Sequence, residues 1–347
     1  MIQLPGSNSL PIQNLAAVFR NTSATYKFYW FLAILELNEE GQHPIAKRDL
    51  FARMIANAWY TVNYFRLSFG RQDLIQDAVK EILVLERLTV DVNKDVLFER
   101  LRSTQNKRVV EILKHFDKNV PHWFQSPWFP KMERRAIYEA SQVNESRAPY
   151  ALHTNHITLH PDWNEYLNTH SGILKAFCYW ELCLFLQARN PNVPDIANKL
   201  IKPAIRNSLS AQRNNYWGLV FRELGSIECL FTKEKLLVDR YALDHFIPHA
   251  FVSHDLMWNL VPINPIFNSR KGDLLPDLEK HFDGFYQIQK DAFDIVRHHA
   301  PNNKWLQDYL TLFPDYEFGY KKFRESVQPL VVIAGNNGFG RLKWDAA

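Results

Sequence analysis

The feature that most constrains this chain is the segment from Leu237 to Pro276, LVDRYALDHFIPHAFVSHDLMWNLVPINPIFNSRKGDLLP. It reads as three short pieces. Residues 241–247 form a strand that carries Asp244 and His245. Residues 258–263 form a second extended piece, entered through Trp258-Asn259 after a loop. A short helix begins at Pro265 and carries Asn268, Arg270 and Lys271. Strand, loop, strand and helix in this order commit the region to a mixed α+β unit.

The polar residues fall at regular places on these pieces. Thirteen residues separate His245 from Asn259, and eight separate Asn259 from Asn268. Taken singly, each has an ordinary structural use: Asp-His as a strand end, Asn259 as a loop closure, Asn268 as a helix cap. Taken together they suit phosphodiester hydrolysis. That reaction needs a deprotonated water, a stabilised pentacoordinate phosphate and a stabilised leaving oxygen. A neutral histidine accepts a proton near pH 7. A hard divalent cation on oxygen ligands neutralises phosphate charge. The Asp244 carboxylate and Asn268 amide oxygen suit Mg2+ or Mn2+ better than Zn2+. Adjacent strand residues point to opposite faces. Asp244 and His245 therefore share a site only if the strand end twists or the phosphate sits at its tip.

The string D-H-x13-N-x8-N-x-x-K resembles the Asp-His…Asn…Asn variant of the HNH endonuclease family, as found in the HNH nuclease domain of CRISPR effector proteins. The surrounding DHFIP, WNLVP and NSRK-x-x-x-LP also resemble a group of bacterial HNH-domain proteins. The resemblance covers about forty residues of the chain. It departs at His249, where that group carries Trp after Ile-Pro. The resemblance implies a ββα-metal fold that cuts DNA. It makes His245 the general base, Asn259 its orienter, and Asp244 with Asn268 the ligands of Mg2+ or Mn2+. Lys271, Arg270 and Arg240 would then face phosphate.

The rest of the chain bounds what surrounds this unit. With 347 residues, 46% hydrophobic and 14% aromatic, it has material for two or three domains and is not disordered. A net charge of +4 gives no global basic field, so any DNA-binding surface must come from local clustering. Cys178, Cys183 and Cys229 form no CxxC pair, which argues for a reducing cytosol and against a structural zinc. The first residues carry no basic start and no apolar run, so no signal peptide is expected. The longest apolar stretches, about ten residues, are too short to span a bilayer. The expected location is cytoplasmic, with no membrane contact.

Apolar periodicity predicts helices over residues 14–37, 47–68, 73–88 and 92–113, the last with a candidate break at Ser103-Thr104. The aromatic run Tyr26 to Phe31 predicts burial between helices. Arg100, Arg102, Lys107, Arg108 and Lys114 form a basic cluster best read as a solvated helix face. Prolines in residues 119–130 predict a packed loop, and residues 149–160, with His153, His156 and His160, a polar surface hairpin. Helices follow over residues 162–188 and 195–201. Arg206, Arg213 and Arg222, interleaved with Tyr216 and Trp217, either touch phosphate or pack as a helix on the ββα unit. Residues 227–231 and 236–238 predict a β-hairpin leading into Asp244. Residues 278–298, 304–313 and 318–327 are helical, and the GNNGFG tail, lacking what a phosphate loop needs, is a terminal strand or frayed end, with a packed or dimer-forming role as the alternative.

The resulting expectation is a predominantly α-helical α+β protein. Residues 1–226 are a helical region for substrate positioning, sensing or oligomerisation. Residues 227–276 are the ββα-metal nuclease module, and residues 277–347 are bracing helices and a tail. The implied function is metal-dependent cleavage of DNA, by analogy in a bacterial restriction or anti-phage defence system. A homodimer or a partner protein of such a system is consistent with it. The alternatives are a nuclease subunit active only with a partner or ligand, and a non-catalytic nucleic-acid-binding protein.

Overall fold

The structure, a computed structural model, describes residues 3–143, 147–201 and 207–343. The fold is a predominantly α-helical α+β one with three small antiparallel sheets among the described residues. It divides into two compact units, one of residues up to 191 with 196–204, the other of residues 192–195 and 205 onward.

The first unit is built around helix α1, Tyr26–Glu39. Phe28 to Leu35 are all buried, so the helix has no solvent face over two turns and serves as the centre of its unit. Helix α2, Lys47–Asn63, packs along it. The single helix expected over residues 14–37 is two, Ile12–Ala17 and α1. Asn21, Thr22 and Ser23 favour turns over helix interiors, and the Asp73 carboxylate accepts the Thr25 backbone N–H at 2.5 Å.

Strands β1 (Ile45–Ala46), β2 (Tyr150–Leu152) and β3 (His156–Leu159) form one sheet in the order β1-β3-β2. The expected surface hairpin is thus partly core, with Tyr150, Leu152, Ile157 and Leu159 buried. The His153 and His156 rings stack at 4.4 Å, while His160 Nε2 meets the Ser141 carbonyl at 3.2 Å. The predicted loop at 119–130 includes one helical turn, Val120–Phe124, with Pro121 at its start. The three arginines of the basic cluster are paired in place: Arg100 with Glu86 at 2.9 Å, Arg102 with Asp49 at 3.2 Å, and Arg108 with Glu81 at 2.7 Å.

The second unit holds β4 (Ile227–Glu228) paired with β5 (Lys235–Leu236), and β6 (Ala242–His245) paired with β7 (Leu260–Ile263). Helix α3, Pro265–Lys271, follows β7 directly. Behind the β6–β7 pair lies α4, Leu278–His299, whose Phe285 stacks on Phe246. A buried polar chain ties this helix to the sheet. Gln289 Nε2 donates to the Leu260 carbonyl at 2.7 Å, and the Tyr309 hydroxyl donates to Gln289 Oε1 at 2.6 Å. Tyr216 and Tyr309 share a hydrogen bond of 3.0 Å, and burial pushes both phenols up.

Tyr216 and Trp217 lie in a π-helical turn, Arg213–Trp217, and both are buried, so this stretch packs inward. Arg213 covers the Tyr241 ring at 4.6 Å, just before β6. Arg206 lies outside the described residues.

The last helix, α5 (Tyr320–Asn336), extends well past the expected end at residue 327 and runs through Pro329. It stops at Gly338, whose φ of 86° is the left-handed conformation glycine tolerates. The GNNGFG tail is neither frayed nor a strand of a sheet. Gly340 O accepts the Leu275 N–H at 2.8 Å, and Leu275 O accepts from Leu342 at 2.9 Å. The tail is thereby pinned to the end of the Leu237–Pro276 segment.

Candidate active site

Local sequence explains why this segment folds as it does. Register pairs Asp244 with Val261 and His245 with Leu260. Asn264 caps α3, its side-chain oxygen accepting from Ile266 N at 2.8 Å and Phe267 N at 3.0 Å. Pro265 supplies the preset φ of a first helical residue, and Gly272, at φ 52°, ends the helix. α3 packs on β6.

The two residues at the end of β6 serve opposite sides, as strand alternation requires. Asp244 turns to α3, where its Oδ2 accepts from Lys271 Nζ at 2.7 Å. Lys271 also donates to the His245 carbonyl at 2.8 Å. This pair is deeply buried, with side chains 1% and 6% exposed for Lys271 and Asp244. His245 turns to the loop between the strands, where its Nε2 lies 2.9 Å from Asp255 Oδ1. Burial pushes the Asp255 carboxyl up, but the hydrogen bond and charge of His245, with His249 and Asn207, hold it below the usual carboxylate range. An ionised carboxylate only accepts, so it is Nε2 that carries a hydrogen toward Asp255.

Asn259 is fully buried, and its amide closes the loop from within. Its Oδ1 accepts from Ile247 N at 2.8 Å and its Nδ2 donates to Ile247 O at 2.9 Å. Its backbone carbonyl accepts from Phe246 N at 2.7 Å. The amide therefore meets Ile247, while Asp255 is the side chain on the imidazole. Asn268 is half-buried and sits one turn before Lys271, so both lie on the α3 face turned to β6. Its side-chain amide makes no hydrogen bond among the described residues. Arg270 and Arg240 are exposed, with Arg240 3.9 Å from Asp239.

The structure thus joins Asp244 to Lys271, with Asn268 on the adjoining turn, and Lys271 reaches His245 only at its backbone carbonyl, while the His245 ring turns to the loop. It adds Asp255, which sequence reasoning missed. The only available signal was a histidine-rich loop with one acid, His249 to Asp255, and loop length alone does not show which residue turns inward. His249, the departure from the resembled group, places its ring 5.1 Å from that of His245 and its Nε2 3.9 Å from Asp255. Among the described residues no group of three or more His, Cys, Asp or Glu is placed to hold a metal ion.

A pair of antiparallel strands, a buried histidine at the end of the first, a connecting loop and a helix returning to that strand define a ββα module of the nuclease type. Residues 229–276 match the model of the HNH endonuclease family, and this part of the chain is an HNH-family domain. No curated protein and no solved structure matches the chain. The domain points to nuclease activity and to a nucleic-acid substrate, and nucleases of this family usually use a divalent metal. Among the described residues no helix is long and apolar enough to cross a membrane.

Asp255→Asn is expected to lower kcat at least about tenfold with little change in KM, because the amide no longer fixes which ring nitrogen carries the hydrogen. Steady-state kinetics on a short duplex checks this, and an unchanged kcat removes Asp255 from the site.

Proposed function

We propose that this chain is an endonuclease that hydrolyses phosphodiester bonds in DNA with Mg2+ or Mn2+. The observation that carries the reading is the His245 imidazole, buried at the end of β6 with Nε2 held by Asp255. That arrangement leaves Nδ1 as the atom to take a proton from the attacking water. Asn259 keeps the loop closed behind it. Asp244 Oδ1 makes no hydrogen bond among the described residues, and together with the Asn268 amide oxygen it is a hard donor set that fits such a cation. When bound, the cation would neutralise charge on the phosphate and the leaving oxygen. Arg270 and Arg240, both exposed, would contact phosphate on either side of the scissile bond.

Residues 1–226 would position substrate, sense a trigger or oligomerise, and residues 277–347 would brace the module, in keeping with the Gln289 link to Leu260. Restriction or anti-phage defence in the cytoplasm is the setting that the bacterial resemblance suggests. A second strand break, or activation by a partner, would call for a dimer or a partner protein of that system.

Plasmid cleavage by the purified chain tests the reading. Nicking or linearisation in Mg2+ or Mn2+, abolished by EDTA and restored by excess metal, is the expected outcome. Cleavage that survives EDTA sinks the metal requirement. Intact plasmid in every metal and DNA form tried overturns cleavage by the chain alone and leaves a subunit that awaits its partner, or a nucleic-acid-binding module.

A further inference from the structure

We propose that Lys271 is a resident counter-cation of this site: its ammonium holds Asp244 when no divalent ion is present and competes with such an ion for that carboxylate. The inference rests on reading Asp244 as a cation ligand. It gives Lys271 a task other than phosphate contact, and the geometry argues for it directly. Lys271 Nζ is committed twice, to Asp244 Oδ2 at 2.7 Å and to the His245 carbonyl at 2.8 Å. With 1% and 6% of the two side chains exposed, little water reaches the pair. A carboxylate buried to this degree without a cation is strongly disfavoured. The ammonium therefore stabilises the empty site.

The same contact opposes filling it. A divalent ion on Asp244 would share one carboxylate with an ammonium already seated on Oδ2, in surroundings where like charges are poorly screened. Occupancy stays weak until a nucleic-acid phosphate brings negative charge to the site. Lys271 is thus a positioning residue for both ends of the Asp244-His245 pair, and it sets the threshold at which the site takes up metal.

An ordinary orienting partner of a metal ligand predicts the reverse. Losing such a partner typically weakens metal binding by about 10- to 100-fold. Mn2+ binding to the full chain without nucleic acid, followed by electron paramagnetic resonance of free Mn2+, separates the two. Lys271→Met is expected to bind Mn2+ at least about tenfold more tightly than wild type, because the ion then has an uncompensated carboxylate to itself. Mn2+ is also expected to raise the melting temperature of the variant more than that of wild type. Unchanged or weaker binding overturns the proposal.

Asp244→Asn separates this outcome from failure of the underlying reading. If it binds Mn2+ as wild type does, Asp244 is no ligand and both fall. If it loses binding while Lys271→Met is no tighter than wild type, only the counter-cation idea falls. Should Lys271→Met be unfolded in chelator, refolding on addition of Mn2+ supports the proposal. Should it stay unfolded in Mn2+, acetylation of wild-type Lys271 decides. Protection in chelator that is lost as Mn2+ is added supports displacement of the ammonium, and protection that persists overturns it.

Discussion

Replacing His245 with alanine is expected to slow DNA cleavage by roughly 10²- to 10⁴-fold, the range that positioned proton transfer contributes. The loss should fall on kcat, because the imidazole acts on the attacking water and substrate contacts lie with other residues. The fold should survive. Asp255, 17% exposed, keeps water, Asn207 and His249 as partners, so truncation leaves no stranded charge. The β6–β7 backbone pairing and the Lys271 contact to the His245 carbonyl do not involve the ring. Circular dichroism should therefore match wild type. Added imidazole should restore part of the rate by occupying the space that the truncation opens. Full activity in His245→Ala would mean that another group takes the proton, and the assignment of the base would be wrong.

The second large effect is on stability. Asn259→Ala is expected to cost about 2–5 kcal/mol, because the buried Ile247 N–H and C=O both lose their partner and each stranded group costs about 1–3 kcal/mol. Urea unfolding should show a lower midpoint at an unchanged slope. Asn259→Asp should not rescue it: a carboxylate accepts from the Ile247 N–H but has no donor for the carbonyl, and it buries a charge. Activity falls as well, because Asp255 rides on the same loop. The contrast between the variants is diagnostic. His245→Ala should lose rate and keep stability, whereas Asn259→Ala should lose stability first. A loss below about 1 kcal/mol in Asn259→Ala would show that the loop closes by other means.

The helices were legible where apolar periodicity is long. Residues 278–298 read as helix, and the helix found is Leu278–His299, because its Phe282, Phe285, Phe293 and Val296 stripe repeats over many turns. Residues 14–37 were misread as one helix because apolar spacing carried across the Asn21 to Ser23 turn, and the group that holds Thr25 there is Asp73, forty-eight residues away. The last helix, expected to end at residue 327, continues through Pro329 to Asn336, packed against α4. What holds the tail could not be read from its own residues, because its partner, Leu275, belongs to another part of the chain.

What the sequence determined by itself is the identity and order of the ββα unit. The Asp-His pair, Asn259, Asn268 and Lys271 sit at intervals set by strand, loop and helix lengths, and those lengths are local properties. What only the tertiary structure decided is which side chains meet. Asp255 reaches His245 because the loop folds inward around the Asn259–Ile247 clamp. Lys271 reaches Asp244 because α3 packs back on β6. Both contacts depend on the path of the backbone between distant residues. Spacing along a chain bounds that path, and burial of the loop and the helix selects it.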